Sequence, residues 1–93
     1  MMSPNSAETL ALQALAWLAA SEELLPVFMG ASGATVDDFR ARTAEPEFLC
    51  SVLDFITMDD AWVVEFCTAH GHPYEAPMRA RQTLPGGGQV HWT

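Results

Sequence analysis

The chain has 93 residues, nearly half of them apolar, and its twelve acidic residues against four arginines and no lysine give a formal net charge of −8. A domain of this length buries roughly 60 to 65% of the surface that its unfolded chain exposes, and the apolar content is too high for a disordered protein. Because negative charge repels phosphate backbones and anionic lipids, the composition argues against nucleic acid and membranes as partners and favours a basic protein partner.

The cysteine content indicates a reducing compartment. The two cysteines, Cys50 and Cys67, form neither a dense disulfide framework nor a CxxC pair, so a cytoplasmic location is expected. The apolar stretch of residues 10–20 follows Glu8 rather than a basic residue and is too short to cross a bilayer. Neither a signal peptide nor a membrane helix is therefore predicted.

The first helix is predicted to run from about Ser6 to Ala20. Asn5, followed three residues later by Glu8, offers a capping box at its start. Apolar residues then recur at helical spacing and are expected to face the core. They are Leu10, Ala14, Trp17 and Leu18.

The second helix is predicted to follow Ser21, whose side chain can accept a hydrogen bond from the first turn. Pro26 is expected to remove a backbone hydrogen bond, and so to bend this helix or delay its start. Gly30 and Gly33 mark its end, because glycine readily adopts the left-handed conformation that closes helices.

Two further helix starts are marked by side chains that suit the first turn. Thr35, with Asp38 three residues on, predicts a short third helix to about Thr43, anchored to the core by Phe39. Pro46 suits the first position of a fourth helix, in which apolar residues show clear helical periodicity. These residues are Phe48, Leu49, Val52, Leu53 and Ile56.

The remaining helices are marked by caps and prolines. Asp59 is predicted to cap a fifth helix that Gly71 ends. Its core residues are Trp62, Val63, Phe66 and Cys67. Pro73 is predicted to open a sixth helix, interrupted or tightened near Pro77 and ending before Pro85. Since no stretch alternates apolar and polar residues as a strand does, the fold is predicted to be all-α, a compact bundle of about six short helices.

Residues 1–88 are predicted to form a single helical domain, followed by a short tail of residues 89–93. The glycines at 86–88 are interpreted as a linker, because a phosphate-binding loop would need a preceding strand and a following lysine. Trp92 is an aromatic anchor beyond this linker. It is expected either to hook a partner or a second subunit, or to fold back over an apolar patch.

One spacing of phenylalanine, glycine, Arg-Ala-Arg and proline occurs twice, over residues 28–46 and 66–85. A shift of 38 residues places Phe28 on Phe66 and Gly33 on Gly71, and one inserted residue then aligns both Arg-Ala-Arg segments. Periods of this length are typical of stacked helical units. The hypothesis is two tandem three-helix units with approximate two-fold symmetry; the alternative is chance recurrence of residues common in helices.

A longer set of residues resembles a known family. It comprises Phe48-Leu49-x2-Val52-Leu53-Asp54-Phe55, then Met58-Asp59-Asp60, Phe66 and Gly71, and a closing Ala80-Arg81-x2-Leu84-Pro85-Gly86-Gly87. On these motifs the chain is similar, over about residues 8–88, to short proteobacterial proteins classed as a domain of unknown function. The resemblance implies a small cytoplasmic helical fold and no known activity. Such relatives tend to carry Asp-Pro at a helix start where this chain has Ser21-Glu22 and His72-Pro73, so neither position receives a site role.

Cys67-x2-His70-x-His72 is the candidate metal site. Cys67 and His70 share a helix face, and His72 lies just beyond the turn that ends the helix. A fourth ligand would have to be Cys50 or His91, and the second tight ligand pair common in structural zinc sites is missing. A buried Cys67 and a helix-end His70 explain the same residues without metal. No metal and no cofactor is therefore predicted.

Asp54 is the candidate interaction residue within the domain, because it is a carboxylate between Leu53 and Phe55 on the most apolar helix. It is interpreted either as a receptor for a partner's arginine or as the partner of one of this chain's own arginines. The arginines considered are Arg40, Arg42, Arg79 and Arg81.

The arginines themselves have two interpretations. Asp38 with Arg42, and Glu75 with Arg79, are ion pairs at i, i+4 spacing. Alternatively, the arginines of the sixth helix belong to a helix-turn-helix module that reads DNA. Acidic residues in the same region argue against DNA. They are Asp59, Asp60, Glu65 and Glu75.

No catalytic motif occurs, so the chain is expected not to be an enzyme. The main hypothesis is a non-enzymatic, cytoplasmic interaction or regulatory module that presents an acidic surface, with Asp54 and Trp92, to a basic protein partner or to a second copy of itself. The alternative is a small-molecule or metal-binding domain around Cys67, His70 and His72. A pocket in which those side chains converge would favour the alternative, and an apolar patch beside acidic residues would favour the main hypothesis.

Overall fold

Six α-helices make up the fold. The structure, a computed structural model, describes residues 2–84, and within that range the backbone forms helices and no strand. The helices are α1 (Pro4–Ala19), α2 (Leu24–Ser32), α3 (Val36–Ala41), α4 (Pro46–Thr57), α5 (Asp60–His70) and α6 (Ala76–Thr83). The predicted all-α class and the bundle of short helices are confirmed. No single helix in this range is both long and apolar enough to cross a bilayer; α1 and α2 meet that test only together, across a bend of 112°.

The centre of the bundle is formed by α1, α4 and α6, each of which packs against the other two, while α5 packs mainly on α4. The apolar periodicity of α1 and α4 gives each helix one buried face, and these faces meet in a single cluster. The buried residues of α1 are Ala7, Leu10, Ala11, Ala14, Leu15 and Leu18. Those of α4 are Phe48, Leu49, Cys50, Val52, Leu53, Phe55 and Ile56.

The start of α1 differs from the prediction. The helix begins at Pro4, and Ser3 is its cap, accepting a hydrogen bond of 3.1 Å from the backbone N–H of Ser6. Asn5 lies inside the first turn, so the capping box predicted at Asn5 is wrong. The reason is that Ser3 followed by proline combines a favourable cap with a residue whose fixed φ suits the first helical position.

The start of α2 follows the prediction in part, because Ser21 binds a first-turn N–H but Glu23, whose side chain makes no capping hydrogen bond, occupies the N-cap position. The backbone N–H of Leu24 donates to the hydroxyl of Ser21 at 3.0 Å. Pro26 lies in the first turn, and the helix proper starts at Leu24, which is the delayed start that the sequence allowed. At the other end Gly33 adopts φ 75° and closes the helix, whereas Gly30 lies inside it and does not contribute to its end.

The predicted caps of α3, α4 and α5 are confirmed. Thr35 and Asp38 form a reciprocal capping box, although α3 ends at Ala41 rather than near Thr43. Pro46 occupies the first position of α4. Asp59 accepts a hydrogen bond from the first turn of α5. Gly71 then ends that helix with φ 72°.

The start of α6 is later than predicted. Pro73 does not open the helix; it lies in a turn, where its carbonyl accepts a hydrogen bond from the backbone N–H of Ala76. The helix begins at Ala76, and Pro77 lies in its first turn, where a missing N–H costs no helical hydrogen bond. Pro77 therefore starts the helix instead of interrupting it. Pro85 lies outside the described residues.

The two halves of the predicted repeat agree in part. Phe28 and Phe66 are both fully buried, and Gly33 and Gly71 both adopt the left-handed conformation. The third helices differ, because α3 buries no residue, whereas α6 inserts a buried face between α1 and α4. The equivalence thus does not extend to the packing of the third helix, and duplication stays a hypothesis.

Candidate functional site

The three candidate metal ligands have separate environments. Cys67 is fully buried and its thiol lies 3.4 Å from a backbone carbonyl oxygen, to which it donates. His70 is exposed, with its ring centroid 5.0 Å from that of Phe66. His72 donates through Nε2 to Oε1 of Gln13 on α1, at 2.6 Å. Within residues 2–84 no three His, Cys, Asp or Glu side chains are grouped to hold a metal ion.

Both cysteines are buried free thiols. Burial raises the pKa of Cys67, and the negative charge of Glu75 raises it further. Burial also raises the pKa of Cys50, and the opposing effect of Arg81 is smaller. Because the thiolate is the nucleophile and the metal ligand, both side chains are held in their unreactive protonated form at neutral pH.

Asp54 has a partner within the bundle. Its carboxylate on α4 accepts a hydrogen bond from Nε of Arg81 on α6, and the two side chains form an ion pair that is partly open to solvent. Of the two interpretations of Asp54, the intramolecular one is what the structure shows. Trp92, the second candidate interaction residue, lies outside the described residues, as do His91 and the glycine linker.

Arg42 pairs differently from the prediction. Its Nε lies 2.9 Å from Oε1 of Glu45, and this hydrogen bond raises the pKa of Arg42. The predicted pair with Asp38 is wrong, because the carboxylate of Asp38 accepts a hydrogen bond from the backbone N–H of Thr35 in the capping box. The guanidinium also lies 5.2 Å from the ring centroid of Phe48. Arg42 therefore packs over the N-terminal end of α4.

A surface groove lies between α5 and the segment that leads into α6. Its volume is about 410 Å³. Its lining residues, which define the α5–α6 groove, are Thr57, Asp60, Val63, Val64, Tyr74 and Met78. Of the seven large apolar side chains that are exposed in the described range, three lie here. Val64 is 41% exposed, Tyr74 58% and Met78 44%.

The exposure of these side chains follows from how the helices meet the core. Phe66 and Cys67 are the buried residues of α5, and Val64 lies outside that face. On α6, Ala76 and Ala80 are buried, so Met78 between them lies on the opposite side of the helix. The groove could not be predicted from the sequence, because the sequence predicts a helix that starts at Pro73 and includes residue 74.

One acidic residue lines the α5–α6 groove. Asp60 lines it and is exposed. Glu65 and Glu75 are also exposed, but Glu65 does not share the face of α5 that lines the groove, because successive helix residues point in different directions. Arg79 follows Met78 but lines a separate depression beside Met2. The groove therefore combines apolar side chains with one carboxylate, that of Asp60, on a chain of net charge −8.

Two other depressions include candidate residues from the sequence. One, of about 430 Å³, lies at the start of α1 and includes His72, but neither Cys67 nor His70 lines it. The other, of about 160 Å³, includes Asp54 beside buried Phe28 and Phe55. Since the three candidate metal ligands do not converge in either, neither depression is the site that the metal-binding alternative requires.

Comparison with known proteins gives one match. The family model described as "Protein of unknown function (DUF3572)" matches residues 4–87. This confirms the resemblance to a domain of unknown function that the helix motifs indicated. No curated protein and no solved structure matches the chain.

Proposed function

The chain belongs to the DUF3572 family of proteins of unknown function, and we propose that it is a non-enzymatic interaction module that binds a basic protein partner through the α5–α6 groove. The observation that carries this proposal is the convergence of Val64, Tyr74 and Met78, all exposed, in one groove lined also by Asp60. Exposed apolar patches with a polar rim are typical of interaction sites.

The groove and the net charge contribute to binding in different ways. Covering an exposed apolar side chain of this size is worth about 1.5 to 3 kcal/mol when it becomes fully buried. The net charge of −8 attracts a basic protein over a distance and orients it during encounter. Affinity is thus expected to depend mainly on the apolar side chains of the groove, and the rate of association on the net negative charge of the chain.

The absence of catalysis and the cytoplasmic location are parts of the same proposal. The buried thiols of Cys50 and Cys67 have raised pKa values, which supports a structural rather than a nucleophilic role. Two unpaired cysteines also fit a reducing compartment. The metal-binding alternative has no comparable support, because its residues do not share a pocket.

The proposal is tested by affinity capture from the native cell, with immobilised wild-type chain and two matched variants. Met78→Gln removes an apolar side chain from the groove, and Leu12→Gln removes a similarly exposed one from α1. We expect the wild type and Leu12→Gln to capture the same basic protein, and Met78→Gln to recover it about fivefold less, since apolar contacts at an interface core are worth about 1 kcal/mol or more.

Capture that is equal for all three chains, or no enriched protein, would contradict the proposal. Trp92→Ala is a fourth arm of the same experiment. Loss of the partner in that variant alone would place the binding determinant in the tail rather than in the groove.

A further inference from the structure

We infer that the segment that occupies the α5–α6 groove is an amphipathic α-helix with lysine or arginine beside its apolar stripe. This inference rests on the proposed function, which requires only that some basic protein binds at the groove. It adds the secondary structure and the residue pattern of the bound segment. Both follow from the arrangement of the lining residues and from the charge around them.

The walls of the groove have the spacing of helix surfaces. On α5 the lining residues Asp60, Val63 and Val64 stand at i, i+3 and i+4, which is about one turn or 6 Å along the helix. The facing wall carries Tyr74 and Met78. An apolar stripe at i, i+3, i+4 and i+7 of a bound helix matches such a groove, as in helix-in-groove recognition generally.

Other backbone conformations fit this surface less well. An extended peptide binds by adding a strand to an exposed sheet edge, and residues 2–84 contain no strand. A polyproline segment binds between several aromatic rings, and Tyr74 is the one aromatic residue that lines this groove. A helix needs neither feature, because its own backbone hydrogen bonds are already satisfied.

The charge of the groove selects a basic helix. Asp60 lines the groove, and the chain as a whole carries a net charge of −8. A second copy of the chain would bring a charge of −8 against −8, and like charges across an interface cost several kcal/mol. The same sign disfavours an anionic lipid surface. The negative electrostatic potential of the chain therefore favours a cationic helix as the occupant of the groove.

Five of the six lining residues then have an expected contact. Val63 and Val64 present branched, rigid side chains to the apolar stripe, and Met78 is an unbranched side chain that adapts to its partner's shape. Asp60 is placed to pair with a lysine or arginine at the edge of the stripe. The ring of Tyr74 offers a face on which a second cation can rest.

The test is a titration with synthetic peptides of about 15 residues, a length at which an isolated helix is marginal in water. The basic probe carries leucines at i, i+3, i+4 and i+7 with lysines beside them. A second probe has glutamates in place of the lysines, and a third has the leucines and lysines scrambled so that no stripe forms. Binding is followed by the methyl NMR signals of Val63, Val64 and Met78, which report contact at the groove itself.

We expect the basic amphipathic probe to shift these signals and to bind at least about tenfold more tightly than either control peptide, which corresponds to about 1.4 kcal/mol. Met78→Gln should weaken binding about fivefold and Leu12→Gln should not. Asp60→Asn should weaken binding at low salt and should bring it close to the wild-type affinity at high salt, where charges are screened.

Three results would overturn the inference: equal binding of the basic and scrambled probes, shifts outside the groove, or binding unchanged in Met78→Gln. Tighter binding of the probe to Trp92→Ala than to the wild type would identify the chain's own tail as the occupant and would also overturn it. Failure here together with successful groove-dependent capture of a protein would leave the proposed function standing, because a non-helical partner would then be bound. Failure of both experiments would reject the groove as a binding site.

Discussion

Gly30 and Gly33 are three residues apart, but only Gly33 has a backbone conformation that calls for glycine. Gly33 adopts φ 75° at the end of α2, and its N–H donates to the carbonyl oxygen of Met29. A side chain in this left-handed region is strained even where space is available. Gly30 lies within the helix, and a Cβ built on it meets nothing within 4 Å. Alanine substitutions at the two positions therefore distinguish the cost of left-handed backbone strain from the effect of helix propensity.

We predict opposite effects of alanine at these two positions. Gly33→Ala should lower the free energy of unfolding by about 1 kcal/mol, because alanine is strained in the left-handed conformation. Gly30→Ala should raise it by about 0.5 to 1 kcal/mol, because alanine loses less conformational entropy in a helix. Urea denaturation followed by circular dichroism measures both. Equal destabilisation by the two changes would contradict the assigned conformations.

Individual caps were predictable from sequence where a side chain and the backbone that it binds are close in the chain. Ser21, Thr35 with Asp38, and Asp59 each act within three residues, so local sequence determines them. For Asp54, the sequence offered four arginines as possible ion-pair partners and did not indicate which of them forms the pair. That choice depends on α4 and α6 packing side by side, which no local pattern encodes.

At the scale of the helices, α3 is held to the bundle by the fewest buried groups. It has six residues, none of them buried. Its main contact is the half-buried ring of Phe39, whose centroid lies 5.7 Å from that of Phe28 and 5.6 Å from that of Phe48. Elements with little buried apolar surface open at low free-energy cost. The capping box at Thr35 therefore carries a larger share of the stability of α3 than a cap does elsewhere.

We predict that α3 opens before the rest of the fold. In native-state hydrogen exchange, the amides of α3 should exchange faster than those of Val52 to Ile56 in α4. Thr35→Ala should speed exchange in α3 further, by about fivefold, since loss of such a cap costs about 1 kcal/mol. Thr68→Ala, at an exposed position of α5, is the control and should leave α3 unchanged. Equal protection of α3 and α4 would refute the prediction.

The helix starts that sequence analysis placed wrongly both involve proline. At α1 the sequence offered two possible caps, Asn5 and Ser3. The helix begins at Pro4, with Ser3 as its cap. At α6 two prolines, Pro73 and Pro77, were both possible first-turn residues, and only Pro77 is in the helix. A proline indicates that a helix can begin nearby. Where several possible starts lie close together, it does not determine which of them the helix uses.

At the scale of the whole molecule, the small residues of α6 determine how closely the central helices approach. Ala76 and Ala80 are buried where α6 packs against both α1 and α4. Their short side chains leave room for the leucines and phenylalanines of the neighbouring helices. A larger residue in place of Ala76 or Ala80 would have to displace one of the three helices from the other two.

We predict that Ala80→Leu destabilises the protein by about 1 to 3 kcal/mol, because Ala80 is fully buried and the added atoms overpack a dense core. Gln82→Leu, at an exposed position of the same helix, is the matched control and should change stability by less than about 0.5 kcal/mol. Thermal or urea unfolding measures both variants. An Ala80→Leu chain as stable as the wild type would show that α6 is not tightly packed.

The α5–α6 groove is the part of the molecule that the sequence did not predict. Val63 was assigned to the core, against which it packs while also lining the groove, and nothing local in the sequence distinguishes the exposed Met78 from a core methionine. The groove exists because α5 and the turn after it are brought alongside the start of α6. Such a surface depends on the relative placement of elements, whereas the helices themselves depend on local caps and periodicity. The net negative charge of the chain was predictable, since charge is a property of composition.

The contact between α1 and α6 determines when the core can be completed during synthesis. These helices lie at opposite ends of the described chain, yet each packs against the other and against α4. During synthesis α1 is made before residues 76–84, so its buried face lacks its α6 partner until those residues have been added. Completion of the core therefore has to wait for α6. Chains arrested before α6 should expose the leucines of α1 to chaperones and proteases.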